Sequence, residues 1–343
     1  MKVAVVGASG YSGGELLRLI AGHPLFEFTS AIAHSQAGEV ITSVHPQLSG
    51  IYSGEFKKFH IDEIANVDLV FFALPHGESG KIISEHSDIF SKKKIVDLGA
   101  DFRLSTSAQW EKYYGGKHHG VWQYGLPELS GMRAAIAHSS HVANPGCYAT
   151  AIALALAPFS QVKERVNFRD VVVTAASGTT GAGRSAKINL IGSEVMNSIS
   201  AYKVGGVHQH TPEIEESIGK VIQGNIKISF TPFLAPLPRG ILASVSIPFS
   251  DGSTAEAREI FMSSYQKEPF VHVLTSGSWP QTSSLIGSNG AHVQVAFDEH
   301  AGRAVVISAI DNLGKGAAGQ AIQNANLICG IDEVTGLTSV GVR

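Results

Sequence analysis

Lys2-Val3-Ala4-Val5-Val6-Gly7-Ala8-Ser9-Gly10-Tyr11-Ser12-Gly13-Gly14-Glu15-Leu16-Leu17-Arg18-Leu19-Ile20-Ala21 is the stretch on which the fold turns. Lys2 to Gly7 is a short β-branched run entering a glycine-rich turn, and Tyr11 to Ala21 then carries Leu16, Leu17 and Ile20 at helical spacing. The order is strand, turn, helix. Gly7, Gly10 and Gly13 stand at a G-x-x-G-x-x-G spacing. Without side chains they permit a tight turn and let backbone N–H groups approach a pyrophosphate, whose charge a helix N-terminus favours. The spacing differs from the usual G-x-G-x-x-G, so the flanking strand and helix carry the reading; a glycine-rich turn with no ligand is the alternative. Gly7, Ser9, Gly10, Tyr11, Ser12 and Gly13 are the candidate dinucleotide contacts.

Outward from this stretch, Phe28 to Ala33, Asp68 to Leu74 and Lys94 to Leu98 are further short apolar runs, separated by polar or helical segments such as Glu78 to Ser87. Such alternation implies an α/β fold with a parallel, doubly wound sheet. In that fold an acid ending the second strand holds a ribose 2′-hydroxyl, but the residues there are Ala33-His34-Ser35-Gln36. No carboxylate repels a 2′-phosphate, and His34 and Ser35 can donate hydrogen bonds to one, so NADP is preferred over NAD even though no arginine is present.

Past Ala143 the texture changes. Phe168 to Ala176, Ile226 to Leu234, Ile241 to Phe249, His292 to Phe297 and Arg303 to Ile310 read as longer alternating strands, with one helix, Thr254 to Gln266, among them. A second, α+β domain with a mixed or antiparallel sheet is expected. The helical pattern Gly316 to Ile328 is expected to return to the first domain. The expected division is a dinucleotide-binding domain over 1–146, completed by 314–343, and a catalytic, substrate and oligomerisation domain over 147–313.

The 343 residues, 44% of them hydrophobic, can bury a sizeable core and suit two domains. A net charge of −3 supplies no basic field for nucleic acid or an anionic membrane, so a small-molecule partner fits better. Lys2 precedes only a short apolar stretch, unlike a signal peptide, and a cytoplasmic location is expected. Ala149 to Ala157 stops at Pro158, short of the roughly 20 residues a membrane span needs, and reads as a buried helix.

Cys147 and Cys329 are far apart in the chain and are expected as thiols rather than a disulfide. Asn144-Pro145-Gly146-Cys147-Tyr148 leads straight into the apolar helix, which places Cys147 near a helix N-terminus, where N–H groups favour the thiolate. That setting makes it a candidate nucleophile. The alternative is a buried small hydrophobe, the reading preferred for Cys329. His208 and His210 lie two residues apart and would share a face of an extended segment, where one could serve as acid/base partner to a thiolate. Zinc would need ligands that no C-x-x-C or third clustered histidine supplies, so no metal is expected. Arg103, after the run 94–98, and Arg184, ending the loop Ser177-Gly178-Thr179-Thr180-Gly181-Ala182-Gly183, are candidate anion ligands.

Taken in order, Gly7 to Gly13, Pro75-His76-Gly77, Asp97 to Leu104, Tyr124 to Leu129, Asn144 to Tyr148, Ser177 to Arg184, His208 to Glu215 and Asp311 to Gly316 resemble the N-acetyl-gamma-glutamyl-phosphate reductases of arginine biosynthesis. The resemblance covers nearly the whole chain. It implies a Rossmann domain for NADP, a catalytic domain, a returning C-terminal helix and a homo-oligomer of two or four chains. It also implies NADPH-dependent reduction of an acyl phosphate, N-acetyl-glutamyl 5-phosphate, to the semialdehyde through a cysteine thioester. Cys147 would be the nucleophile and His210 the acid/base, with His208 lining the site. Pro75, Ser177, Gly178 and Asn312 would join the cofactor contacts, and Arg103, Asn144, Arg184 and Glu213 would hold the substrate. Two departures stand out: His34 where many members have arginine, and Thr180 where serine is usual. A reductase of the one-carbon-longer aminoadipyl phosphate of lysine biosynthesis and a non-catalytic NADP-sensing regulator are the competing readings. Aspartate-semialdehyde dehydrogenase fits less well, because its motifs around the base differ from His208 to Glu213.

Overall fold

The structure, a computed structural model, describes residues 1–342. β1 (Lys2–Val6) runs through the glycine turn into α1 (Tyr11–Ala21) and β2 (Glu27–Ile32), followed by the single turn α2 (Ile41–Val44). β3 (Leu69–Phe72), α3 (Glu78–Glu85), α4 (Ser87–Phe90) and β4 (Lys94–Asp97) continue the alternation. Then come α5 (Ser107–Tyr113), β5 (Gln123–Tyr124), α6 (Met132–Ala137) and β6 (His141–Ala143). The six strands form one parallel sheet in the order β2-β1-β3-β4-β6-β5. Alternation explains why it is covered on both faces. Val3, Val5, Leu69, Phe71 and Val96 pack with Leu16, Leu17 and Ile20, while Ala4, Val6, Val70, Phe72 and Ile95 pack with Ile83 and Phe90. Each such fully buried Val, Leu or Phe is worth about 1.5–3 kcal/mol.

The second stretch opens with α7 (Cys147–Leu156), apolar on every side and buried from Tyr148 onward, as a core helix must be. β7 (Val171–Ser177), the single turn α8 (Gly192–Val195), β8 (Ser200–Ala201), α9 (His210–Ile222), β9 (Ile228–Leu234) and β10 (Ile241–Pro248) follow. α10 (Thr254–Tyr265), β11 (Val271–Val273), β12 (Ala291–Asp298) and β13 (Arg303–Ile310) complete it. Seven strands form a mixed sheet in the order β11-β12-β13-β10-β7-β9-β8. β11 with β12 and β7 with β9 are parallel, and the other neighbours are antiparallel. α7 packs on β10, β13 and α9. A π-helical turn, Gly314–Ala318, then leads into α11 (Gly319–Ile328), which packs against β4, α6 and α1.

The fold class is the expected one: a doubly wound parallel sheet and a separate α+β unit with a mixed sheet. By contacts the chain forms two compact units, the first of residues 1–127, 131–145 and 317–337, the second of 128–130, 146–316 and 338–342. The extended segment expected around His208 and His210 is not present. The second unit carries α9 as well as α10, so His208 and His210 do not share a face of an extended segment; His210 is the first residue of a helix. Pro212 and Glu213 in its first turn and Ile214, Ile218 and Ile222 along its buried side are helix signals.

Candidate active site

In the first unit the glycine loop closes on the end of β3. Gly7 has φ +88°, a left-handed conformation, and a Cβ there would lie 2.3 Å from the Ala73 carbonyl oxygen. A Cβ on Gly13 would lie 2.4 Å from the Gly7 oxygen. Gly10 is the N-cap of α1 with no side-chain cap, and the first turn of that helix holds no acid. A bare helix N-terminus behind a glycine-rich turn fits a dinucleotide pyrophosphate. Ser9 and Ser35 both donate their hydroxyls to Gln36 Oε1, at 2.8 and 2.7 Å. Gln36, outside the expected set, therefore ties the loop to the end of β2, where His34 and Ser35 are exposed. A second unexpected residue braces the loop from below: the buried His45 has Nε2 2.9 Å from the Ala8 carbonyl oxygen, and its ring fills the space a Cβ on Gly14 would take. Pro75 sits exposed just after β3, Tyr11 is exposed, and Ser12 is half-buried.

At the carboxyl edge of β4, buried Asp97 accepts from the Gly99 N–H and the Ser79 hydroxyl, both at 2.9 Å. Asp101 accepts from the N–H groups of Gly77 and Gly80. Burial first, and then the neighbouring Asp101 charge, push the Asp97 carboxyl from its ordinary 3.8 up to about 7. Between these values the folded protein keeps a proton that the unfolded chain has lost. Stability should therefore fall as pH rises from about 4 to 7 and level off above, a loss of roughly 4 kcal/mol at 1.36 kcal/mol per unit. Melting curves of wild type and Asp97→Asn across pH 4.5–8 check this: the difference between them should carry the slope, and parallel curves would refute it.

Arg103 is buried and donates from Nε to the Asn144 carbonyl and from Nη2 to the Leu98 carbonyl, each at 2.7 Å. Asn144 in turn donates to the Ala317 carbonyl at 3.1 Å and accepts from Asn324 Nδ2 at 2.9 Å. Both residues thus hold the backbone that leads toward Cys147.

In the second unit Cys147, half-buried, is the first residue of α7, and its N-cap, Gly146, makes no side-chain cap. The Gly146 N–H donates to Glu213 Oε1 at 2.7 Å. A Cβ on Gly146 would lie 2.4 Å from His210 Nε2, so the imidazole lies against the turn that carries the cysteine. Gly316, in the π-helical turn, backs the same residue: its Cβ would fall 2.8 Å from Cys147 Cβ. The two histidines are now distinguishable. His208 Nδ1 accepts the His210 N–H at 3.1 Å, which puts its own proton on Nε2. Burial, and then the neighbouring His210, push it down to about 2, so it is a neutral imidazole at working pH. Its ring meets Tyr148, Tyr202, Phe230 and His210 edge-on. Tyr202 donates to the Tyr148 hydroxyl at 3.2 Å, and Tyr148 to the Phe233 carbonyl at 3.0 Å. Tyr202, pushed up to about 12 by burial, is another site neighbour that spacing did not reveal.

Ser177 ends β7, Gly178 follows it, and both are buried. The Gly178 N–H donates to the Gly240 carbonyl, the Gly240 N–H to Asn312 Oδ1, and Asn312 Nδ2 to the Thr180 hydroxyl, at 2.8, 2.7 and 2.9 Å. These residues form one connected loop cluster, and the hydroxyl of Thr180 has a structural use that serine would share. Arg184 is exposed beyond it. The expected site residues therefore divide into one set in each unit. Among the described residues, no three His, Cys, Asp or Glu side chains come together as metal ligands, and no helix is long and apolar enough to cross a membrane.

Residues 2–138 match the semialdehyde dehydrogenase NAD binding domain, and residues 147–312 the semialdehyde dehydrogenase dimerisation domain. The fold is shared with aspartate semialdehyde dehydrogenase II of Vibrio cholerae, at TM-score 0.71 and 16% identity over 96% of this chain and 98% of that one. It is shared also with the NADP-bound aspartate semialdehyde dehydrogenase of Candida albicans, at TM-score 0.64 and 15% identity over 96% and 98%. The N-acetyl-gamma-glutamyl-phosphate reductase of Acidothermus cellulolyticus is 54% identical over 99% of this chain and 98% of its own length. Those of Salinispora tropica and Streptomyces coelicolor are 52% and 47% identical, each over 100% of this chain and 99% of their own. The chain belongs to the N-acetyl-gamma-glutamyl-phosphate reductase family of the semialdehyde dehydrogenases.

Proposed function

We propose that the protein reduces N-acetyl-glutamyl 5-phosphate with NADPH to N-acetyl-glutamate 5-semialdehyde and phosphate, a step of arginine biosynthesis, through a thioester on Cys147. The observation that carries the reading is the contact within the second unit: a cysteine opening a helix, with the imidazole of His210 against the glycine before it. The Cys147 sulfur attacks the acyl carbon, the carbon–oxygen bond to phosphate breaks, and phosphate leaves. His210 takes the thiol proton and returns one to the departing phosphate, a service worth about 10²–10⁴ in rate. When bound, NADPH supplies the hydride that reduces the thioester. The resulting thiohemiacetal loses its carbon–sulfur bond and releases the aldehyde and the thiolate. N–H groups at the start of α7 stabilise the oxyanion, each such donor being worth about 3–4 kcal/mol.

His208, neutral and with Nδ1 engaged, lines the site rather than carrying protons. Gly7, Ser9, Gly10, Tyr11, Ser12 and Gly13 would hold the pyrophosphate of NADP, and His34 and Ser35 its 2′-phosphate. Pro75, Ser177, Gly178 and Asn312 are the further proposed cofactor contacts. Arg103 and Arg184 are the cations proposed for the substrate phosphate, and the resemblance implies Asn144 and Glu213 as further substrate residues. The match of residues 147–312 to a dimerisation domain supports a homo-oligomer, a dimer or tetramer, and a biosynthetic role fits the cytoplasm.

The reverse reaction tests the reading, since the acyl phosphate is labile. N-acetyl-glutamate semialdehyde, phosphate and NADP⁺ should yield NADPH, followed by absorbance, and omission of phosphate should stop it. Protein that binds the dinucleotide but reduces neither NADP⁺ nor NAD⁺, or that prefers the one-carbon-longer semialdehyde, would overturn the proposed substrate.

A further inference from the structure

We infer that Glu213 is a positioning residue whose carboxylate locks the N-terminus of α7, bearing Cys147, to the N-terminus of α9, bearing His210, before any substrate arrives. The inference rests on the reading of Cys147 and His210 as the reacting pair. A helix N-cap amide needs an acceptor, and within a single helix a Glu or Gln at the third position often supplies it. In α7 that position is Ala149, which has nothing to offer. The acceptor comes from another helix: Glu213 Oε1 takes the Gly146 N–H at 2.7 Å, a length typical of a charge-assisted bond. Glu213 is almost wholly buried, and burying a carboxylate is costly unless it is hydrogen-bonded in this way.

Helical spacing gives the bond its reach. Glu213 lies three residues after His210 in the first turn of α9, so both side chains project from one face. The carboxylate grips the amide of Gly146 while the imidazole rests against the α-carbon of the same residue, where a Cβ would lie 2.4 Å from Nε2. Both contacts fall on the residue immediately before the nucleophile. Moving α9 relative to that turn would break the bond and open the space between His210 and Cys147 together. Glu213 thus acts on the geometry of the pair, in place of the substrate-binding role that the resemblance implies.

Two readouts separate positioning from substrate contact. The first is the split between kcat and KM. Glu213→Ala should lower kcat by about 100-fold, the typical effect of a 1 Å misplacement, with KM nearly unchanged. Glu213→Gln keeps a neutral acceptor at the same reach and should recover most of kcat. The second needs no substrate: the pH profile of iodoacetamide alkylation of Cys147, followed by mass spectrometry of its own peptide so that Cys329 does not interfere. Glu213→Ala should reproduce the profile of His210→Ala, while Glu213→Gln should keep that of wild type. A raised KM with unchanged kcat and an unchanged alkylation profile in Glu213→Ala would overturn the inference. So would a Gln variant as impaired as the Ala variant in both readouts. Because alkylation is measured without substrate, an error in the proposed acyl phosphate would leave this second readout standing.

Discussion

Cys147→Ser should abolish phosphate-dependent NADPH formation, a fall of about 10⁴-fold or more in turnover, while NADP⁺ still binds. Acidity separates the two side chains. A thiol lies close enough to neutral pH for a helix N-terminus and an adjacent imidazole to hold it as the anion, whereas an alcohol is far less acidic. The serine variant would keep the size and the turn of the native residue but would lack both the nucleophile and the leaving group of the second half-reaction. The other thiol cannot substitute. Cys329 lies at the C-terminal end of α11, and burial pushes it up to about 11, away from the reactive range. Cys329→Ser should therefore run at the wild-type rate. Dinucleotide binding should survive in Cys147→Ser because the glycine loop belongs to the first unit. The two measurements are the coupled assay and calorimetric titration with NADP⁺. Activity within tenfold of wild type would remove Cys147 from the role of nucleophile, and loss of NADP⁺ binding would mean that the substitution had disturbed more than the sulfur.

How far the chain reveals this in advance depends on the range of each interaction. Strand, glycine turn and helix at Lys2–Ala21 are consecutive, so both their periodicity and the need for glycine at the turn can be read from neighbours. Cys147 is legible for the same reason: Pro145 and Gly146 end one element, and an unbroken apolar run begins the next. The partners of these segments are not local. Gly146 and Glu213 meet across 67 residues, and His45 reaches Ala8 across 37. No spacing rule joins such pairs. Gln36 lay next to the two expected ribose contacts, yet its role as the shared acceptor of Ser9 and Ser35 emerges only when the loop and the end of β2 come together. The start of α9 is hidden in the sequence for a different reason. Two histidines at an i, i+2 spacing imitate a strand, while the helical period of Ile214, Ile218 and Ile222 begins only after them. Pro212 and Glu213, a first-turn pair, were the local clue to the helix.

Gly146→Ala tests the geometry of the pair with a single methyl group. Gly146 has φ −71° and ψ 149°, a conformation open to any residue, so alanine adds no backbone strain and should stiffen the unfolded chain slightly. The whole cost comes from where the methyl points. It would sit 2.4 Å from His210 Nε2 and 2.8 Å from the adjoining ring carbons, against the 3.5–4.0 Å of an unstrained contact. The ring must retreat by about 1 Å, and it is buried with Tyr148 and His208 edge-on to it. Overpacking of this kind costs about 1–3 kcal/mol of stability, which the fold should tolerate. The effect on the reaction should be far larger. Misplacing the imidazole by such a distance should lower kcat by about 10²-fold or more, approaching the full 10²–10⁴ of a lost general acid/base, with NADP⁺ affinity unchanged. A double-mutant cycle with His210→Ala identifies the cause. If the methyl acts through the ring, then Gly146→Ala should cost little once the ring is gone, and the double variant should match His210→Ala alone. A further hundredfold loss in the double variant would place the damage in the Cys147 turn itself. A single variant within threefold of wild type would mean that the imidazole has room to do its work from elsewhere, and the pairing of His210 with Cys147 would have to be given up.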